Sequence, residues 1–251
     1  KTDYGEFNVA NYLSNSYGAG IQFGYPISDI QRVNFGLTYD KTNIDIGTQP
    51  AREIWDFINQ EGSNFETLNI QTSWQRVTLN RGMFPTSGSS TVVSLSSTIP
   101  GGDIDYARLN IRQKYYRPIN EDFIFGFNIE LGYLTAYGKT KETPFFQNFY
   151  AGGPRSLRGF ESNTLGPRST EAPCYEFNYE DGTCPNLIDT DGDGIADAPY
   201  YNPYANSEYN KRVSIGGNIK VEGSFQLIFR LPFIEDQRSM RSAFFFDFGN
   251  V

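Results

Sequence analysis

The stretch that decides the fold is Phe123-Ile-Phe-Gly-Phe-Asn-Ile-Glu-Leu-Gly-Tyr133. Its odd-numbered side chains are all aromatic or aliphatic, whereas glycine, asparagine and glutamate fill most even-numbered positions. Successive side chains of a β-strand point to opposite faces, so this period of two predicts a strand with one apolar and one polar face. The same alternation recurs around Phe23, Phe35, Ile70, Leu95, Ile111, Phe225 and Phe246, and a poorly defined run lies near residues 7–13. The sequence therefore predicts about nine strands and an all-β fold.

Composition and charge exclude several classes of function. The chain has 21 basic and 29 acidic residues, a net charge of −8, whereas a nucleic-acid partner requires a basic stripe. Histidine is absent, which removes Ser-His and Cys-His nucleophile pairs, and no convincing acid pair is present, so we expect no enzyme. The longest apolar run is four residues, 243–246, far short of the roughly 20 that a membrane-spanning helix needs.

The alternation fits two architectures, a soluble β-sandwich and a transmembrane β-barrel, because both contain strands with one apolar and one polar face. The lengths of the connections distinguish them. At one end of the sheet the connections are short, at 28–30, 81–87, 120–122 and 235–239. At the other end 43–65 and 139–212 are long, and 100–103 is tight. Outer-membrane barrels have short periplasmic turns and long extracellular loops, so the sequence predicts a transmembrane antiparallel β-barrel.

Residues 1–251 are expected to form one unit that is part of a larger barrel. The predicted strand count is odd, and an open sheet in lipid would leave edge backbone groups unpaired at several kcal/mol each. The connection 139–212 is expected to be a long extracellular loop. In the connection 43–65, Pro50 precedes Ile54, Phe57 and Ile58, whose spacing predicts a short helix over residues 50–58.

The most specific stretch is 148–160, Asn-Phe-Tyr-Ala-Gly-Gly-Pro-Arg-Ser-Leu-Arg-Gly-Phe. A loop as long as 139–212 needs anchoring to be ordered. The glycines of the stretch, Gly152, Gly153 and Gly159, permit positive φ angles and close backbone approach. Arg158 offers a rigid fork of donors that suits a carboxylate, and Asp247 lies on the polar face of its strand. On the residues alone, Arg158 is either an anchor or an ordinary lumen-lining charge.

This stretch resembles the signature loop of the BamA family of outer-membrane protein assembly factors. The likeness continues at 162–167, 81–86 and 244–249 and covers nearly the whole chain. It implies the middle and later strands of a barrel of about 16 strands, with the loop 139–212 folded into the lumen. It also implies an anchoring motif, whose members are Gly152, Gly153, Leu157, Arg158, Gly159 and Phe160.

The resemblance further implies that Arg158 contacts acidic residues on the inner wall, in a structural rather than a catalytic role. Asp247 matches one of these acidic positions. Gln226 occupies the second, and Glu222, earlier on the same strand and face, is the acid that could replace it.

The function implied is that of an insertase that folds β-barrel proteins into the outer membrane of a Gram-negative bacterium without ATP, through a lateral seam. The implied partners are unfolded outer-membrane β-barrel substrates, outer-membrane lipids and accessory lipoproteins that bind POTRA domains outside this sequence. No nucleic acid is expected. The alternatives are a related two-partner secretion transporter and a passive porin.

Two further features leave two interpretations each, and a third has one. Cys174 and Cys184 form a loop disulfide or remain free thiols. An acidic cluster, made of Asp189, Asp191, Asp193 and Asp197, either binds Ca²⁺ or is a solvated turn. No cofactor is required in either case. A row of basic residues on the polar faces, Arg108, Arg112, Lys114, Lys220 and Arg230, is interpreted as ordinary lumen polarity that pairs with Glu130 and Glu222.

Overall fold

A single antiparallel sheet accounts for most of the regular structure, and each strand pairs with its neighbour in sequence. The computed structural model describes residues 2–3, 12–46, 51–170, 214–229 and 241–251. Within these residues the nine strands are β1 Thr2–Asp3, β2 Tyr12–Ser28, β3 Gln31–Ile46, β4 Asn64–Val77, β5 Gly88–Thr98, β6 Tyr106–Pro118, β7 Phe123–Ala136, β8 Ile219–Phe229 and β9 Ser242–Asn250. This up-and-down order is that of a barrel wall, so the predicted all-β antiparallel fold is confirmed.

The apolar face of the sheet points outward. Phe23 on β2 is 68% exposed and Phe246 on β9 is 65% exposed, although both belong to the most hydrophobic residue types. Contiguous exposure of this kind on many strands marks a surface that meets lipid or another apolar partner. The opposite face carries the polar side chains and receives the loop described below, and we call it the inner face.

The connections are sorted by length as the sequence predicts. At the short-turn end, β2 and β3 are joined by two residues and β6 and β7 by residues 119–122. At the opposite end, which we call the long-loop end, β3 leads to β4 through residues 47–63 and β7 leads to β8 through residues 137–218. The described part of the connection between β7 and β8 forms the candidate functional site.

The predicted loop helix is present as α1, Arg52–Glu61. Ile54 and Phe57, one turn apart, are both buried, and the helix ends at Gly62, whose φ of 91° suits the absence of a side chain. The N-cap residue, Ala51, makes no side-chain capping bond, so packing rather than capping holds this helix. No helix in the described parts of the chain is long and apolar enough to cross a bilayer.

The long-loop end contains a buried hydrophobic core that the strand pattern does not predict. Phe57 of α1 packs edge-on against Phe145 with ring centroids 5.4 Å apart, and Phe65 stacks on Phe146 at 5.7 Å. The buried members are Tyr12, Ile44, Ala51, Ile54, Phe57, Phe65, Ile104, Tyr106, Leu134, Phe145 and Phe149. The inner face is therefore polar along most of its length but apolar where α1 and the β7–β8 connection cover it.

Candidate functional site: a loop docked on the inner face

The β7–β8 connection turns back onto the inner face and is tied to itself by backbone pairs. Antiparallel bridges join Phe149 to Gly217 and Ala151 to Leu165. These contacts place the intervening residues 152–164 as a compact excursion from a short ladder. Because both arms of the excursion are fixed, its tip has a defined position above β8 and β9.

Glycines let the excursion turn tightly. Gly152, Gly153 and Gly159 have φ angles of 108°, 103° and 92°, a region that side chains disfavour. The Gly153 amide donates to the Phe160 carbonyl at 3.1 Å, which closes the turn. A Cβ atom on Gly152 would lie 2.4 Å from the Glu161 carbonyl oxygen, so close approach also requires glycine there.

Arg158 at the tip makes a bidentate contact with Asp247 on β9. Its Nη2 lies 2.6 Å from Oδ1 of Asp247 and its Nε lies 2.7 Å from Oδ2. The Arg158 backbone amide donates to the same Oδ2 at 3.1 Å. The Asp247 side chain is only 6% exposed, so its charge is compensated mainly by the loop.

Two more residues of the wall complete the arginine's surroundings. Arg158 donates to Oγ of Ser224 at 2.9 Å, and Ser224 is paired directly with Asp247 across β8 and β9. The guanidinium carbon lies 3.5 Å from the ring centroid of Phe245, close enough for a cation–π contact. Neither Ser224 nor Phe245 was predicted as a partner of the arginine, although both lie on the inward register of their strands together with Asp247.

The other expected partners of Arg158 have different contacts. Glu222 accepts a hydrogen bond from Ser156 of the loop and lies 3.2 Å from Nζ of Lys220. Gln226 donates to Ser224 at 3.4 Å. Within the described residues, the acid that Arg158 meets is Asp247, while Glu222 supports the loop through Ser156, two residues earlier. The reason is register, since Ser224 rather than Glu222 or Gln226 stands opposite Asp247.

The remaining motif residues divide between the interior and the surface. Leu157 is 3% exposed, whereas Phe160 is 55% exposed. The motif thus combines a buried apolar side chain with the arginine contact next to it.

The start of the connection is attached to the wall at a second place. Phe149 lies against Gly132 of β7, where an added Cβ would be 2.7 Å from the ring. The guanidinium of Arg108 lies 4.2 Å from the centroid of the same ring. Gly132 could have indicated this contact, because a glycine inside a strand often marks close approach of another segment.

The helix α1 also contacts the connection. The Thr170 backbone amide donates to Glu53 at 3.1 Å, and the Lys141 amide donates to Glu61 at 3.0 Å. Two connections that are far apart in sequence are thereby joined at the long-loop end.

The predicted disulfide and calcium residues lie outside the described residues: Cys174, Cys184, Asp189, Asp191, Asp193 and Asp197. Among the residues that are described, no group of three or more carboxylates and cysteines has the geometry to hold a metal ion.

Comparison with known proteins identifies the family. Residues 2–251 match the Omp85 superfamily domain. The outer membrane protein assembly factor BamA of Neisseria meningitidis serogroup B is 29% identical over 252 residues, which cover 97% of this chain and 27% of that protein. The sorting and assembly machinery component 50 homolog of Mus musculus is 32% identical over 69 residues, 28% of this chain and 14% of that protein.

A similar solved structure has the same name as the first of these relatives. The crystal structure of BamA from Haemophilus ducreyi lacking POTRA domains 1–3 is similar with a TM-score of 0.74 and 26% identity, covering 96% of this chain and 42% of that one. The chain spans about a quarter of the length of the Neisseria relative. Since the family match includes every described strand, this chain belongs to the Omp85 superfamily.

Proposed function

We propose that this chain is the barrel portion of an outer-membrane insertase, which folds and inserts β-barrel proteins into the outer membrane of a Gram-negative bacterium without ATP. The observation that carries the proposal is the docked loop, with Arg158 held by Asp247, in a chain whose relatives are named as assembly factors. The outward apolar face supports a location in lipid.

In this proposal the loop has a mechanical role. The contact between Arg158 and Asp247 ties the excursion to β9, so movement of that strand relative to β8 would disturb the loop. An insertase needs a wall that stays intact while strand edges elsewhere in the barrel pair with a substrate. The docked loop supplies that rigidity from inside. The predicted position of the rest of the loop 139–212 in the lumen concerns residues 171–212, which lie outside the described residues, and it stays a prediction.

The partners in this proposal are unfolded outer-membrane β-barrel proteins and outer-membrane lipids, with accessory lipoproteins bound through POTRA domains. The role is not enzymatic, because the sequence has no histidine for a nucleophile–base pair and the arginine contact is a structural one. No cofactor is required. The disulfide of Cys174 with Cys184 and calcium binding by the acidic cluster stay predictions. A calcium-dependent rise in melting temperature, lost on Asp191→Asn with Asp193→Asn, would support the second.

The test replaces the native protein with an Arg158→Ala variant in cells and measures the folded fraction of resident β-barrel proteins by heat-modifiable electrophoretic mobility. The expected result is a lower folded fraction. The matched control is Glu161→Ala, because the Glu161 side chain is exposed and its loop contact uses the backbone carbonyl.

Depletion of the whole protein distinguishes the alternatives. Loss of one secreted protein with normal levels of folded barrels would identify a secretion transporter. Loss of small-solute uptake alone would identify a passive porin. Either result would overturn the proposed insertase.

A further inference from the structure

A cavity of about 370 Å³ lies between the loop tip and the inner face, and its charge is unbalanced. Four cationic side chains line it, Arg112, Lys114, Arg155 and Arg158, against the two carboxylates of Glu130 and Glu222. The excess is positive although the whole chain carries a net charge of −8. The volume falls within the range of ordinary ligand sites.

The two carboxylates are already engaged. Glu222 receives Ser156 and lies 3.2 Å from Lys220. Glu130 accepts from Asn110 at 2.9 Å and lies 3.6 Å from Lys220, so its contact with Arg112 is a long one of 3.8 Å. These two carboxylates therefore compensate the charge of Arg112 only weakly.

Of the remaining three cations of the cavity, two have no acidic partner in the described residues. Neither Lys114 nor Arg155 has a carboxylate within ion-pair distance there, and Arg158 is committed to Asp247. On β5, the positions paired with Arg112 and Lys114 are Val92 and Ser90, which carry no charge. Arg112, Lys114 and Arg155 thus line one cavity, and in the described residues their charges are compensated only by the long contact of Arg112 with Glu130.

We propose that this cavity binds an extended acidic peptide segment, with carboxylates on alternate residues meeting Arg112, Lys114 and Arg155. Arg112 and Lys114 lie two residues apart on one face of β6, which places them about 7 Å apart along the strand. An extended peptide presents alternate side chains at the same spacing. A compact anion such as phosphate lacks this repeat of charges along a chain. The inference does not depend on the insertase function.

The test uses the full-length protein in detergent and fluorescently labelled hexaglutamate, with affinity measured by anisotropy at low salt. Hexaglutamate is expected to bind, hexaglutamine is not, and the affinity should fall as salt rises. The variant Arg112→Gln/Lys114→Gln/Arg155→Gln should weaken binding by about tenfold or more, because three ionic contacts are removed. The control Arg52→Gln/Arg117→Gln/Lys139→Gln makes the same charge change at exposed positions that do not line the cavity.

A second variant keeps the inference testable if the triple variant does not fold. Glu130→Gln preserves the shape of the side chain and removes the acid that Arg112 shares, so hexaglutamate should bind more tightly. Equal affinity of the parent for hexaglutamate and hexaglutamine would overturn the proposal. So would equal weakening by the cavity and control variants, or competition by pyrophosphate at the same charge concentration as hexaglutamate.

Discussion

Replacing Arg158 with alanine should release the loop tip without unfolding the sheet. The side chain makes two hydrogen bonds to Asp247, of 2.6 and 2.7 Å, and the Asp247 side chain is 6% exposed. Removing one partner of a buried ion pair costs about 3–5 kcal/mol. Because the Arg158 side chain keeps 31% of its exposure, we expect about 2–4 kcal/mol for undocking the loop.

That free energy corresponds to a rise in the undocked population of about 30-fold to several hundred-fold. Hydrogen exchange followed by mass spectrometry measures it directly, because the amide of Gly153 is protected by its bond to the Phe160 carbonyl only while the turn is closed. Exchange across residues 150–165 should accelerate by this factor in Arg158→Ala, whereas peptides from β7 should be unchanged. Glu161→Ala is the control within the same loop.

A double-mutant cycle provides the refutation. If Arg158 and Asp247 act as a pair, Arg158→Ala combined with Asp247→Ala should cost less than the sum of the single changes, with a coupling above about 1 kcal/mol. Unchanged exchange in Arg158→Ala would show that the loop is held by its backbone ladder and not by the arginine. Strictly additive effects in the cycle would show that the arginine does not act through Asp247.

Three further changes probe the outer face, the loop base and the core. Phe246→Arg should destabilise the protein in lipid bilayers by about 2–4 kcal/mol, because the side chain faces hydrocarbon, whereas Ile119→Arg in a turn should be nearly neutral; urea unfolding in vesicles measures both. Gly132→Ala should push the Phe149 ring away and cost about 1–3 kcal/mol, seen as faster amide exchange at the start of the β7–β8 connection. Phe57→Ala should cost about 3–5 kcal/mol and lower the melting temperature, because it empties the centre of the aromatic cluster.

Matched controls separate these effects from general damage. Gly36→Ala places its Cβ 3.6 Å from the nearest atom, an ordinary contact, so exchange should not change as it does in Gly132→Ala. Met83→Ala removes a side chain that is 73% exposed and should leave the free energy of unfolding within about 0.5 kcal/mol of the parent. Equal stability of Phe246→Arg and Ile119→Arg in vesicles would contradict the lipid-facing assignment.

Much of the wall could be predicted because strand alternation is a local property. The run 123–133 lies within β7, and the run around Phe225 corresponds to β8. The helix starts near its predicted position but extends beyond residue 58 to Glu61. Its end is set by Gly62, whereas the prediction had rested on the spacing of the apolar residues. The family resemblance predicted a contact between Arg158 and Asp247, and the structure has this contact.

The core at the long-loop end could not be predicted in the same way. Tyr12, Ile44 and Leu134 lie at the ends of their strands on the inner face, where a polar lumen was expected. They are buried because Phe145 and the helix cover them, and both covering segments belong to connections, whose folding the strand alternation does not specify. An apolar residue on the inner register says nothing about which distant loop will cover it.

The sequence by itself determined which side chains point to the same face, because the two-residue period is imposed by the backbone of each strand. It also determined that long connections gather at one end. The tertiary structure alone decided which inner-face residues meet the loop, since Arg158 and Asp247 are 89 residues apart and their contact depends on the pairing of β8 with β9. If β8 were shifted by one residue against β9, Ser224 would no longer stand opposite Asp247. Its side chain would then point to the outer face of the sheet, away from Arg158.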